Sequence, residues 1–348
     1  MELHISEGIY GIVQTVIPYL VDRSGMKKIR IAFTDFWDIF DPNENFIMEA
    51  LRKNFEVEIS DDPDFVFCSI FGRRHLKYDR AKIFYTGENI DPDFNLVDYA
   101  LGFPEIDYYD RYLRLPHYLL YPRACKLALS KPSLSDRELL DRKFCNYVIS
   151  NALSSPERGF MIGKLEKYKA LDSGGRYHNN VGGPVADKID FSRGYKFSIA
   201  FENSGSRGYT TEKIMESFAS ETVPIYWGNP DIAKEFNPDS FINCHDFAGF
   251  DEVVEYVRKI DSDDEAYLKM VKAPIIRDGC MAAKCLEEDY LSDFLYRICS
   301  QEPERAIRRN RVYIGKHYED EAKLHEKIDR VLRLPRRAVR GIRNRVQK

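Results

Sequence analysis

The sequence predicts an α/β protein built from two sheet-and-helix units, on three observations. Short apolar runs recur up to residue 103 with an amphipathic stretch after the first of them. A second series opens at Phe144, and residues 195–246 pack a strand, a small-residue loop, a helix and another strand into close succession. A chain of 348 residues that is 44% hydrophobic can bury two cores of ordinary domain size.

Taken in order, Ile29–Phe33, Val57–Ser60, Phe65–Ile70, Ile83–Thr86 and Asp98–Phe103 read as strands, and Glu44–Asn54 reads as the first crossover helix. The run FCNYVIS at 144–150 starts the next unit, which places the domain boundary near residue 142. Lys196–Phe201 is a core strand of a parallel sheet. After it come Ser204, Gly205, Ser206 and Gly208, a loop, and then Thr210 or Thr211 as cap of a helix that begins near Glu212 and turns Ile214, Met215 and Phe218 inward. Val223–Trp227 is the following strand. Phe250–Ile260, Asp263–Val271 and Ala283–Cys299 are amphipathic helices, the last lining Leu286, Tyr290, Leu291, Phe294, Leu295 and Ile298 along one face.

In a βαβ unit ligands bind beyond the carboxyl ends of the strands, and Asn203, Tyr209, Glu212 and Lys213 all fall there. A helix N-terminus with a lysine in its first turn suits an anion such as phosphate, because unpaired N–H groups and the positive end of the dipole point toward it. Taken alone, that turn reads more readily as a solvated cap, and neither GxGxxG nor GxxxxGK[ST] occurs in this stretch.

Composition narrows the class. A net charge of −4 disfavours general nucleic-acid binding. No run of eighteen apolar residues exists, and the N-terminus MELHISEGIYGIVQ lacks a basic flank before an apolar stretch, so neither anchor nor signal peptide is expected. Seven cysteines without CxxC pairs read as reduced thiols, the Cys280/Cys285 pair included, rather than as a zinc site.

The segments FEN (201–203), GYTTEKI (208–214) and ETVPIYWGNPDIAKEFNPDSFINCHDF (221–247) resemble the signature of the α-1,3/4-fucosyltransferases, glycosyltransferase family 10. DFWDIFDPNENF (35–46), EVEISDDPDFVFCSIFG (56–72) and IFYTGENIDPDFNLVDYALGF (83–103) are similar to bacterial members in the same order, so the resemblance covers about three-quarters of the chain. It implies two Rossmann-like domains facing a cleft, the B-type glycosyltransferase architecture. Residues 1–142 would form the acceptor domain, 143–315 the GDP-fucose donor domain and 316–348 a helical basic tail. Animal members resemble type II membrane proteins, so an anchorless chain looks bacterial and cytoplasmic.

The resemblance further implies transfer of L-fucose from GDP-β-L-fucose to a sugar hydroxyl with inversion, which needs one general base. Glu88 in TGENI matches that base, beside Gly87, which permits a tight turn, and partial desolvation there would raise its pKa. Glu212 ranks second as base and otherwise meets ribose or fucose hydroxyls. Lys213 and Arg158 match the diphosphate-binding cations, with Arg176 in GGRYHNN as the alternative to Arg158. Asn203 would lie nearer the diphosphate or sugar, and Tyr209 nearer the ribose.

No metal is expected to be required, although Mn²⁺ or Mg²⁺ can assist product release. Asp62-Pro63-Asp64 and Asp91-Pro92-Asp93 have the DxD spacing of A-type enzymes but read as Asx-Pro turns. The expected acceptor is the GlcNAc or glucose hydroxyl of a lactosamine-type or lipid-linked glycan, as in Lewis-antigen or lipopolysaccharide synthesis, with α-1,3 favoured over α-1,4 transfer. A non-catalytic nucleotide-sugar or carbohydrate-binding protein of the same fold is the competing reading.

From Glu326 onward, Lys327, Arg330, Arg333, Arg336, Arg337, Arg340, Arg343, Arg345 and Lys348 face only Glu326 and Asp329, while Leu332, Val339, Ile342 and Val346 form an apolar stripe around a break at Pro335. Such a tail suits peripheral contact with an anionic membrane, with a solvated disordered tail as the alternative. Leu324, Ile328 and Val331 supply too few heptads for a sustained coiled coil.

Overall fold

The computed structural model describes residues 25–150, 155–283 and 289–346, the side chains of residues 330 and 333–346 excepted. The N-terminal stretch MELHISEGIYGIVQ, together with Cys285 and Leu286, lies outside the described residues.

The first sheet comes from β1 (Lys27–Thr34), β2 (Phe55–Ile59), β3 (Phe65–Cys68), β4 (Ala81–Tyr85), β5 (Tyr99–Gly102) and β6 (Tyr112–Arg114), all parallel in the order β2-β1-β3-β4-β5-β6. Every residue of β3, β4 and β5 is buried, as expected of central parallel strands covered on both faces. The crossover helix α1 (Phe46–Arg52) starts where Asn45 Oδ1 accepts the N–H groups of Ile47 and Met48, at 3.1 and 3.0 Å.

The second unit runs through α2 (Pro122–Leu129), α3 (Asp136–Leu140), β7 (Lys143–Tyr147), α4 (Glu157–Leu165), β8 (Leu171–Ser173), α5 (Lys188–Ser192), β9 (Tyr195–Phe201), α6 (Glu212–Ala219), β10 (Val223–Trp227), β11 (Ile242–Asn243), α7 (Phe250–Asp261) and α8 (Asp264–Lys272). Its parallel sheet has the order β11-β10-β9-β7-β8. The chain leaves β7 toward one edge and returns on its other side at β9, so the strand order reverses between them. Ligand crevices form at such switch points. The loop after β7 leads to Arg158, and the end of β9 leads to Asn203.

The expected strands are present, as are the helices near 250–260 and 263–271; the helix expected over Ala283–Cys299 runs over Tyr290–Cys299 with Asp289 as its N-cap, and the packing departs from the limits 1–142, 143–315 and 316–348. The second core begins before residue 142, because Ala124, Cys125 and Ala128 of α2 bury against Ile214, Met215 and Phe218 of α6. Leu139 of α3 joins the second core as well. The chain therefore crosses between units near residue 121. It crosses back before residue 290: helix α9 (Tyr290–Cys299) puts Phe294, Leu295, Ile298 and Cys299 against Leu51, Phe55 and Tyr99 of the first unit. An amphipathic face is satisfied by whichever apolar surface it reaches, and periodicity does not say which.

The tail is also corrected. Helix α10 (Tyr313–Val346) is continuous through Pro335. A proline removes one intrahelical hydrogen bond, and the helix formers on both sides carry the winding past it. The first turns of α10 dock on the first sheet. There Lys82 and Arg309, whose side chains are fully buried, reach Glu319 at 3.3 and 3.4 Å. Asp98 completes the cluster by pairing with Arg309 and accepting the N–H groups of Lys82, Arg308 and Arg309.

Burial alone would raise the pKa of Glu319, but Lys82, Lys323 and Arg309 hold it at about 2. A depressed carboxylate contributes stability above its ordinary value of 4.5 and loses it as the pH falls toward 2, so acid should undock α10 in that window. Glu319→Gln leaves two buried cations short of charge and is expected to destabilise the fold by about 3 kcal/mol in urea unfolding. An unchanged midpoint would mean that the cluster is not coupled to folding.

Candidate active site

Three cations and a helix end converge at the switch point of the second sheet. Arg158, Lys188, Asn203, Glu212, Lys213 and Glu216 line a cavity of about 210 Å³ whose apolar wall includes Ile149, Ile199 and Phe201. Arg158 enters from the first turn of α4 and is 4% exposed. Its Nη2 donates to the Phe201 carbonyl at 2.8 Å and to Asn203 Oδ1 at 3.0 Å, while its Nε has no hydrogen-bond partner among the described residues. Burial lowers the pKa of this guanidinium, Glu202 and Tyr209 oppose that shift, and the group stays a cation. Arg176 is exposed and does not line the cavity, so of the two candidates Arg158 is the one placed there.

At the head of α6 the expected capping takes another form. Thr211 occupies the N-cap position, but its hydroxyl does not cap the helix. It donates instead to Glu202 Oε2 at 2.6 Å, while the Thr211 N–H reaches Glu202 Oε1 at 2.8 Å. A fully buried carboxylate has drawn the cap away, which leaves the first N–H groups of α6 without a side-chain cap. Glu202 also holds Lys213 Nζ at 3.2 Å, and Glu212 Oε1 approaches the same nitrogen at 3.4 Å.

Electrostatics then fixes the charge state at the head of α6. For Lys213, burial lowers the pKa, yet Glu202, Glu212 and Tyr209 outweigh it and hold the ammonium well above its ordinary value. For Glu212, burial pushes upward, but Lys213, His117 and Lys188 together hold it well below the carboxylate range. Such a carboxylate is a permanent anion and a weak acceptor of protons. Glu216 moves the other way, raised by burial against the pull of Lys188 at 3.3 Å.

Glu88 is placed differently from the expectation. It follows β4 on the first unit, outside the cavity lining, and it is exposed rather than partly desolvated. Gly87 does not have positive φ, so the turn does not need glycine's left-handed range. The turn is fixed by its neighbours. Thr86 Oγ1 accepts the Glu88 N–H at 3.1 Å, and Asn89 exchanges hydrogen bonds with Ser204 and Ser206 of the second unit at 2.8 and 2.7 Å.

Tyr209 does not line the cavity; it is 2% exposed and edge-on to Phe103 at 4.8 Å. Burial is the main cause of its raised pKa, with Glu202, Glu88 and Glu212 adding to the shift. The loop that carries it is clamped to the first unit. A Cβ on Gly208 would stand 2.4 Å from the Phe103 carbonyl, and the residue has φ +81°, so glycine is required at that contact. Arg114 donates to Phe103 O, Gly208 O and the fully buried Glu235, which also accepts from Thr210 and Asn229.

Sequence reasoning missed Glu202, Lys188, Glu235 and His117. The FEN triplet contains the only available signal for Glu202, an acidic residue closing an apolar strand. The two DxD sequences lie elsewhere. Asp62 and Asp64 pair with Arg30, both at 2.8 Å, and Asp93 accepts from Tyr318 and Asn95. Among the described residues no group of three His, Cys, Asp or Glu is arranged to hold a metal ion, and the described cysteines are free and buried.

Comparison with known proteins matches the same two units. The α-(1,3)-fucosyltransferase FucT N-terminal domain matches residues 31–121, and the glycosyltransferase family 10 (fucosyltransferase) C-terminal domain matches residues 141–272. A crystal structure of an α1,3-fucosyltransferase superposes with a TM-score of 0.72 at 30% identity, covering 84% of this chain and 94% of that one. The chain belongs to glycosyltransferase family 10.

A further crystal structure, of an α1,3-fucosyltransferase with GDP-fucose, superposes on this family 10 chain at a TM-score of 0.69 and 31% identity, covering 82% of this chain and 93% of that one. The α-(1,3)-fucosyltransferase FucT of Helicobacter pylori is 36% identical over 284 residues, which is 70% of this family 10 chain but only 59% of the Helicobacter protein. The family's N-terminal domain match ends at residue 121, where α2 leaves the first unit. No described helix is long and apolar enough to cross a membrane.

Proposed function

We propose that this family 10 chain is an inverting fucosyltransferase that moves L-fucose from GDP-β-L-fucose to the GlcNAc or glucose hydroxyl of a lactosamine-type glycan, forming an α-1,3 rather than an α-1,4 bond. The observation that carries the reading is the uncapped head of α6, where Lys213 and Arg158 meet at the switch point of the donor sheet with Glu88 on the facing unit. GDP brings a diphosphate, and that is the anion such a site is built to receive.

In the reaction, Glu88 takes the proton of the acceptor hydroxyl while the oxygen attacks the anomeric carbon from the face opposite GDP. The bond from that carbon to the diphosphate oxygen breaks, and the electron pair leaves with GDP. Lys213, Arg158 and the α6 N–H groups receive the growing negative charge, so the leaving group is stabilised by the chain's own cations. Asn203, already held by Arg158, reaches the diphosphate or sugar; Tyr209 faces the ribose, and Glu212, ionised throughout, accepts from ribose or fucose hydroxyls and steadies positive charge at the anomeric centre. Added Mn²⁺ or Mg²⁺ would act on product release. The basic end of α10 would bring the enzyme to lipid-linked acceptors at an anionic membrane surface.

The test is GDP release from GDP-fucose with type 1 and type 2 N-acetyllactosamine disaccharides, against a control without acceptor. Acceptor-dependent release with a fucosylated type 2 product is the expected result. Binding of GDP-fucose with no release on either disaccharide would instead favour a binding protein of this fold.

A further inference from the structure

His117 stands between Glu212 and the Gly87–Glu88 turn. It follows β6 and Pro116 on the first unit, yet its backbone N–H donates to the Thr210 carbonyl of the second unit at 3.1 Å. Its Nδ1 lies 3.3 Å from Glu212 Oε2. An ionised carboxylate only accepts, so Nδ1 carries the proton and the tautomer is set by this contact. The opposite edge of the ring faces the Gly87–Glu88 turn, where a Cβ built on Gly87 would lie 3.5 Å from His117 Nε2. Tyr121 and Phe103 hold the ring edge-on, at centroid distances of 5.3 and 6.4 Å, so it cannot turn away without breaking both packings.

We propose that His117 is a positioning residue, a strut across the cleft that fixes Glu212 at the head of α6 and sets how far the Glu88 turn stands from it. The inference rests on the fucosyl-transfer reading. Two consequences distinguish a strut from ordinary packing. Glu212 is restrained by Lys213 on one oxygen and by His117 on the other, so losing His117 frees the carboxylate that would meet the sugar hydroxyls while leaving Lys213 and Arg158 to grip the diphosphate. The sugar part of the donor should therefore be felt less, and the GDP part about as before.

The experiment compares wild type, His117→Ala, His117→Asn and His117→Gln by calorimetric titration with GDP and with GDP-fucose, and by turnover. Asparagine can place an amide N–H near the Nδ1 position, whereas glutamine reaches toward Nε2. In His117→Ala the affinity for GDP-fucose relative to GDP should fall about tenfold and kcat by at least about the same factor, the scale of one charge-assisted hydrogen bond. Asparagine should restore most of both, glutamine little, and added imidazole should partly rescue the alanine variant. A donor preference within twofold of wild type in His117→Ala overturns the strut, as does an equal loss in the alanine and asparagine variants. If wild type binds both nucleotides but transfers to neither disaccharide, the titration still decides the role of His117 while the acceptor assignment alone fails.

Discussion

Lys213→Ala is expected to weaken GDP binding by about 10- to 100-fold, the equivalent of about 1.5–3 kcal/mol for a charge-assisted contact. The size follows from where the ammonium sits. Glu202 and Glu212 keep it protonated throughout the accessible pH range, and both contacts pin the side chain at the cavity before any ligand arrives. A pinned cation loses little conformational freedom on binding, so more of its attraction for a diphosphate appears as affinity. Arginine at the same position should recover only part, because its planar fork cannot occupy the point between Thr211 Oγ1, Glu202 and Glu212 that Nζ fills. The fold should also lose about 3 kcal/mol, since the fully buried Glu202 keeps the Thr211 hydroxyl and N–H but is left without its cation, so binding is compared on protein shown to be folded. Isothermal titration with GDP checks the prediction, and a Kd within twofold of wild type would remove Lys213 from the diphosphate site.

The parts legible in the sequence were those that repeat a local pattern. Apolar runs and their spacing marked β1, β3, β4, β5, β9 and β10, and the FEN and GYTTEKI segments marked Arg158's partner Asn203 and the head of α6. What periodicity could not supply was pairing at a distance. The faces of α2 and α9 are equally apolar whichever unit they cover, so their allegiance depends on Phe218 and Tyr99, far away in the chain. Thr211 reads as a cap by type and position, and only the buried Glu202 beneath it turns the hydroxyl aside. His117 carries no signal at all, because its role exists only where two units meet. Glu88 shows the opposite limit: the motif located it, while its exposure depends on a turn tied down by Asn89, Ser204 and Ser206.

That exposure makes Glu88→Gln the sharper of the two tests. Removing an exposed charge from a turn held by backbone and neighbouring side chains should change stability by no more than about 0.5 kcal/mol, so any loss of activity is chemical. Transfer to the acceptor should fall by about 10²- to 10⁴-fold, the range of a general base, while GDP affinity stays within twofold because Glu88 does not line the donor cavity. Glu212→Gln should behave otherwise. Its carboxylate is held ionised by Lys213, His117 and Lys188, which makes it a poor acceptor of an incoming proton, and its loss should appear first as weaker binding of GDP-fucose than of GDP. The two variants thus divide the roles by readout: kcat at unchanged GDP affinity for Glu88, donor-sugar discrimination for Glu212. If Glu88→Gln retained wild-type transfer while Glu212→Gln abolished it, the proton would have to pass to a carboxylate that Lys213, Lys188 and the His117 hydrogen bond all hold ionised. Binding of the donor would then have to displace Lys213 from Glu212, and that displacement should be visible as a rise in the pKa of Glu212 by nuclear magnetic resonance titration in the presence of GDP-fucose.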